Sequence, residues 1–145
     1  MRDGETITTD DLVNEWKGVL STYDLMIDNG IKLRPIRFII RNIIEKGYDR
    51  LLFPGTSLYS LLISIPIDKK VNYSKTLKIE YDQLIEELKF KFIDRTAQDQ
   101  QDLNSKGKVL WDVTCQATEG SSVIESFFMD NEDFRKTVEK RMSVG

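Results

Sequence analysis

The sequence predicts an α+β fold: two N-terminal helices, a four-stranded, mainly antiparallel sheet covered on one face, and a C-terminal helix. Three observations carry that expectation. Apolar residues recur at three- and four-residue steps before position 50, at two-residue steps from position 58, and at helical steps again after position 120. Turn-forming residues separate these runs. Each alternating run also has one apolar and one mixed or polar side, the pattern of a sheet with one solvated face.

The first helix opens at Thr8-Thr9-Asp10-Asp11, which offers capping oxygens and first-turn carboxylates to the positive end of a helix dipole. Leu12, Val13, Trp16, Val19, Leu20 and Tyr23 share one face, and Asp28-Asn29-Gly30 is the stop. Pro35 suits the first turn of a second helix, where its missing N–H costs nothing. Ile36, Ile39, Ile40 and Ile43 form its buried stripe and Gly47 ends it. Phe53-Pro54-Gly55 reads as a turn, with proline presetting one dihedral and glycine supplying a positive one.

Four alternating segments follow. Leu58–Ile65 sets Tyr59, Leu61, Ile63 and Ile65 against Leu58, Ser60, Leu62 and Ser64. Thr76–Tyr81 turns Leu77, Ile79 and Tyr81 inward, with Lys78 and Glu80 outward. Leu88–Ile93 does the same with Leu88, Phe90 and Phe92 against Lys89 and Lys91. Val109–Thr118 sets Val109, Trp111, Val113, Cys115 and Ala117 against Leu110, Asp112, Thr114, Gln116 and Thr118. Asp82–Glu87 fits a hairpin turn, a bulged continuation or one helical turn, and the polar stretch from Arg95 to Lys108 reads as a loop. At the C-terminus, Ser122 and Glu125 fit a capping box, with Val123, Ile124, Phe127 and Phe128 as an apolar cluster. Asp130 or Asn131 suits the cap of a last helix carrying Phe134, Val138 and Met142.

A chain of 145 residues, 40% hydrophobic and 31% charged, is long enough to bury a core as one domain and too apolar for disorder. Its net charge of −3 argues against nucleic acid as a partner for the whole chain. The longest mostly apolar stretch, Leu58–Ile67, is ten residues, about half of what a membrane span needs. Nothing at the start resembles a signal peptide, and Cys115 stands alone, so the expected location is cytoplasmic.

There is no histidine, which removes imidazole-based triads and histidine zinc sites, and one cysteine supplies no thiolate cluster. Neither common phosphate-binding glycine loop is present; Ser105-Lys106-Gly107-Lys108 lacks the preceding glycine. Cys115 sits on the apolar parity of its strand and reads as a small buried hydrophobe. Glu80, Asp82 and Asp112 lie on polar parities and form an acid/base or hard-metal site only if their strands bring them together. Asp130-Asn131-Glu132-Asp133 lacks the glycine and closing glutamate of a calcium loop, so capping explains it better. No cofactor or metal is expected.

Charge is segregated. Residues 1–30 carry two basic and seven acidic side chains, whereas residues 31–50 carry six basic and two acidic ones. Arg34, Arg37 and Arg41 line one exposed ridge of the second helix, with Phe38 as its aromatic neighbour. That ridge either pairs with the acidic first helix or faces an anionic partner. The expected function is a non-enzymatic protein-interaction module, an immunity-like or adaptor-like inhibitor, meeting another protein with an acidic surface through Arg34, Arg37 and Arg41. Asp112, Thr114 and Gln116 form its second surface. The alternative is a small-ligand-binding or carboxylate-dependent enzymatic domain with a cavity between helices and sheet.

Overall fold

The computed structural model describes residues 4–96 and 108–140. The order is α1 (Thr9–Asp28), α2 (Arg34–Glu45), a 3-10 turn (Tyr48–Arg50), β1 (Phe53–Ser57), β2 (Ser60–Ser64), β3 (Lys75–Asp82), β4 (Glu87–Asp94), β5 (Lys108–Gln116), a second 3-10 turn (Ala117–Glu119), α3 (Gly120–Asp130) and α4 (Glu132–Glu139). The five strands pair in sequence order, every neighbour antiparallel. The α+β class stands, with one strand more than expected and two C-terminal helices rather than one.

Both N-terminal helices begin and end where the sequence places them. Thr8 caps α1 reciprocally: its side chain accepts from the Asp11 N–H at 3.1 Å, and its own N–H donates to the Asp11 carboxylate at 2.9 Å. Leu12, Trp16 and Tyr23 are buried, and Gly30 takes a φ of 93° just past the end. Pro35 lies in the first turn of α2, and Ile36, Ile39, Ile40 and Ile43 are buried.

Expectations fail at several points in the strands, each for a physical reason. Phe53-Pro54-Gly55 is not a turn but the start of β1, which pairs Phe53 with Ser64 and Gly55 with Leu62. Proline and glycine are tolerated because β1 is an edge strand with only one neighbour to bond. The turn lies at Leu58–Tyr59 instead, between the paired Ser57 and Ser60, so Tyr59 is exposed rather than inward. In β5 the register slips at Phe92/Ile93: Phe92 faces Trp111 and Ile93 faces Val109. This bulge at Leu110 moves Val109 off the core face and leaves it half exposed. Asp82–Glu87 resolves as a hairpin, in which the Asp82 carboxylate accepts from the Leu84 N–H at 3.0 Å.

The inner face carries Leu61, Ile63, Leu77, Ile79, Leu88, Phe90 and Phe92, packed on α1, α2 and the Phe127, Phe128 and Phe134 group. Phe128 and Phe134 stack at 5.6 Å between centroids. Full burial of each large side chain contributes about 1.5–3 kcal/mol. The first residue of α3, Gly120, is fixed by contact: a Cβ there would lie 2.6 Å from Leu88 Cδ1. Accordingly α3 starts two residues before the expected Ser122 cap, and Glu125 instead accepts from Lys46 at 2.7 Å and from the Tyr48 hydroxyl at 3.0 Å. Asn131 caps α4 by accepting from the Phe134 N–H. Met142 and residues 97–107 of the expected loop lie outside the described residues.

A smaller cluster of Ile7, Leu12, Phe53 and Val71, with Tyr73 against it, covers the β1 side of the outer face. The segment before α1 is tied there by backbone bonds between Gly4 and Val71, Val71 and Glu5, and Ile7 and Lys69. Ser64, expected on the solvated face, is therefore buried and shares a 2.8 Å hydrogen bond with Thr76.

Candidate partner-binding surfaces

The arginine ridge divides. Arg37 donates to Asp24 of α1 at 3.2 Å and Arg41 approaches the same carboxylate at 3.9 Å. These pairs are partly exposed, so each contributes at most about 1 kcal/mol, but they bind two of the three arginines to the acidic helix. Arg34 sits a turn away, is exposed, and makes no ion pair among the described residues. Phe38, on the same ridge, is also exposed.

Asp112, Thr114 and Gln116 are exposed on the outer face of β5, as the strand parity requires. Asp112 does not meet Glu80 or Asp82. Across the sheet Asp112 faces Lys91, which faces Lys78; Glu80 faces Lys89, which faces Thr114. A lysine of β4 thus separates Glu80 from β5, and Glu80 is engaged by Lys78 at 3.0 Å. Among the described residues no three acidic or thiol side chains gather at metal-binding distance. Cys115 is buried, and its thiol is pushed up by burial and by Glu119 and Glu87, away from reactivity.

The helix–sheet interface, where the sequence allows a cavity, is filled by Trp16, Ile36, Ile39, Ile40, Leu61, Ile79 and Phe90. A hollow of about 950 Å³ opens instead on the outer face, between Gly55, Leu62, Lys78, Tyr73 and Arg95. Ser74 borders it, with a buried hydroxyl that finds no hydrogen-bond partner among the described residues.

The feature that sequence reading missed lies at one end of the sheet. The β1–β2 and β3–β4 connections leave the same end, since β2 and β3 run antiparallel with Leu61 opposite Ile79. Their tips carry Leu58 and Leu84, 92% and 89% exposed, with Tyr59 and Ile85 beside them. Leu58 also has a φ of 57°, the left-handed region that asparagine or glycine occupies at lower cost. The α1–α2 loop and the first residue of α2 bring Lys32 and Arg34 to the same end, where they line a hollow against Tyr81. Tyr81 borders two further hollows, one with Ile85, Glu86 and Gln116 and one with Asp82 and Leu84. Its phenol is pushed up by burial and by the neighbouring Glu86 and Asp82. Tyr23 fixes the first tip from behind, donating to the Tyr59 carbonyl at 2.9 Å.

Leu84 falls between the alternating runs and Leu58 continues one of them, so periodicity marks neither as a hairpin tip. Among the described residues no helix is long and apolar enough to cross a membrane. Compared with protein-family models, curated proteins and solved structures, the chain shows no significant match to any of them.

Proposed function

We propose that this protein is a non-enzymatic interaction module, an immunity-like or adaptor-like inhibitor, that grips a protein partner with the hairpin end of its sheet. The observation that carries the reading is Leu58: a large apolar side chain, 92% exposed, in a left-handed backbone conformation. A residue that costs stability and packs on little is expected where function demands it. Leu84 and Ile85 extend the apolar contact, and Lys32 and Arg34 flank it with positive charge suited to an acidic rim on the partner.

The test places a photo-crosslinking residue at Leu84 or, as a control, at Glu139, and then measures affinity for the captured partner. Capture from position 84 alone is expected. Leu58→Asn with Leu84→Ser should then weaken affinity about tenfold or more, while Arg34→Glu should slow association and flatten its salt dependence. Equal capture from both positions, or unchanged affinity, overturns the reading. Arg37 and Arg41 are poorer choices for charge reversal, because losing Asp24 as partner perturbs the α1–α2 pair itself.

A second reading, a small-ligand-binding domain, draws support from the outer-face hollow and the unpartnered Ser74 hydroxyl. A metabolite that raises Tm, and loses that effect in Ser74→Ala, would favour it.

A further inference from the structure

We infer that the outer edge of β5 is a strand-addition surface whose occupant is a second copy of this chain, joined antiparallel so that the two sheets become one. β5 is nine residues long, contains neither proline nor glycine, and pairs only with β4 among the described residues. Past the bulge at Leu110, its other edge presents a row of backbone donors and acceptors from Trp111 to Gln116 with no strand partner among the described residues, the template that edge strands normally blunt with proline, short length, bulges or a covering element. Beside that row Val109 and Leu110 are 51% and 54% exposed, so apolar surface accompanies the open hydrogen bonds.

The sequence of the strand selects its own copy. In a two-fold arrangement centred on Val113, side chains of like face meet: Val113 opposes Val113 of the other copy, and Trp111 opposes Cys115 on the inner face. On the outer face Asp112 opposes Thr114 twice, a carboxylate against a hydroxyl donor. Centring on Asp112 would oppose two carboxylates. Centring on Thr114 would oppose Thr114 with itself and Asp112 with Gln116, and it predicts the opposite response to a lysine at position 114.

Sedimentation equilibrium of the full chain over a concentration series tests this, with Thr114→Asp and Thr114→Lys alongside. Thr114 is solvent-exposed, so both variants are expected to keep the fold, checked by circular dichroism. The wild type should form a dimer. Thr114→Asp sets two carboxylate pairs face to face and should raise the dimer Kd about tenfold or more; Thr114→Lys sets two lysine–aspartate pairs and should lower it several-fold. A chain that stays monomeric throughout, or a dimer indifferent to both variants, overturns the inference. Loosening by Thr114→Lys points to the register centred on Thr114 and overturns the one centred on Val113.

Discussion

β1 closes one side of the sheet with five residues, including Pro54 and Gly55, and lies against α1. β5 closes the other with nine residues, no proline or glycine, and no strand pairing beyond β4 among the described residues. The coverage of β1 is anchored, not incidental: Trp16 donates to the Leu52 carbonyl at 2.8 Å immediately before the strand, and Tyr23 holds the turn after it. The same chain thus protects one edge with a helix while leaving the other available. Open strand edges invite pairing, so the asymmetry points to a sheet with one direction in which to grow.

The largest expected effect comes from removing the cover. Trp16→Ala deletes a fully buried indole and its bond to Leu52, and should cost about 3–5 kcal/mol. Chemical denaturation gives the size, and amide exchange should show β1 and β2 opening ahead of β4. Equal acceleration in β4 would mean that the cover is not specific to its edge. Next is the junction behind β5. Gly120→Ala forces a Cβ against Leu88 and should cost about 1–3 kcal/mol.

Leu58→Asn relieves the left-handed backbone and should raise stability by about 0.5–1 kcal/mol, read from the denaturation midpoint. A gain in stability together with a loss of partner affinity would separate fold from function at that residue. The smallest change is expected at the open edge: Leu110→Lys should leave monomer stability within about 0.5 kcal/mol, in contrast to Trp16→Ala.

pH offers one more probe of the β5 side. Because the Cys115 thiol is held above its ordinary range when folded, the unfolded chain releases that proton first. Stability is therefore unaffected by this group below the ordinary thiol range and declines as pH rises above it. Denaturation across the alkaline range, compared with Cys115→Ala, checks the sign.

The two N-terminal helices were legible because their boundaries rest on local chemistry, whereas the start of α3 is set by its packing on Leu88. Thr8 with Asp11, Pro35, Gly30 and Gly47 act within a turn of where they stand, and periodicity then identifies the buried face. The strands were legible in their face, as Leu77, Ile79, Phe90 and Phe92 show, but not in their context. Pro54 and Gly55 signify a turn unless the segment is an edge, and edge position is a property of the whole sheet. The Leu110 bulge is a one-residue slip against β4 that alternation alone does not reveal. Of the expected surfaces, Asp112, Thr114 and Gln116 are exposed as their parity implies, while Arg37 and Arg41 are drawn into the helix pair that their charge also allowed. The hairpin tips required three-dimensional placement, since only the register brings Leu58 and Leu84 to one end.

The two tryptophans fall on opposite sides of this asymmetry. Trp16 is fully buried on α1, the helix that guards β1, whereas Trp111 stays partly accessible on β5, its ring 4.8 Å from that of Phe127. The molecule therefore carries a separate optical reporter for each border of its sheet. Quenching by iodide should reach Trp111 and spare Trp16, and in a Trp111→Phe chain the accessible fraction should vanish. A strand settling along β5 would shade Trp111 and shift its emission to the blue, so docking at that border becomes visible in unlabelled protein.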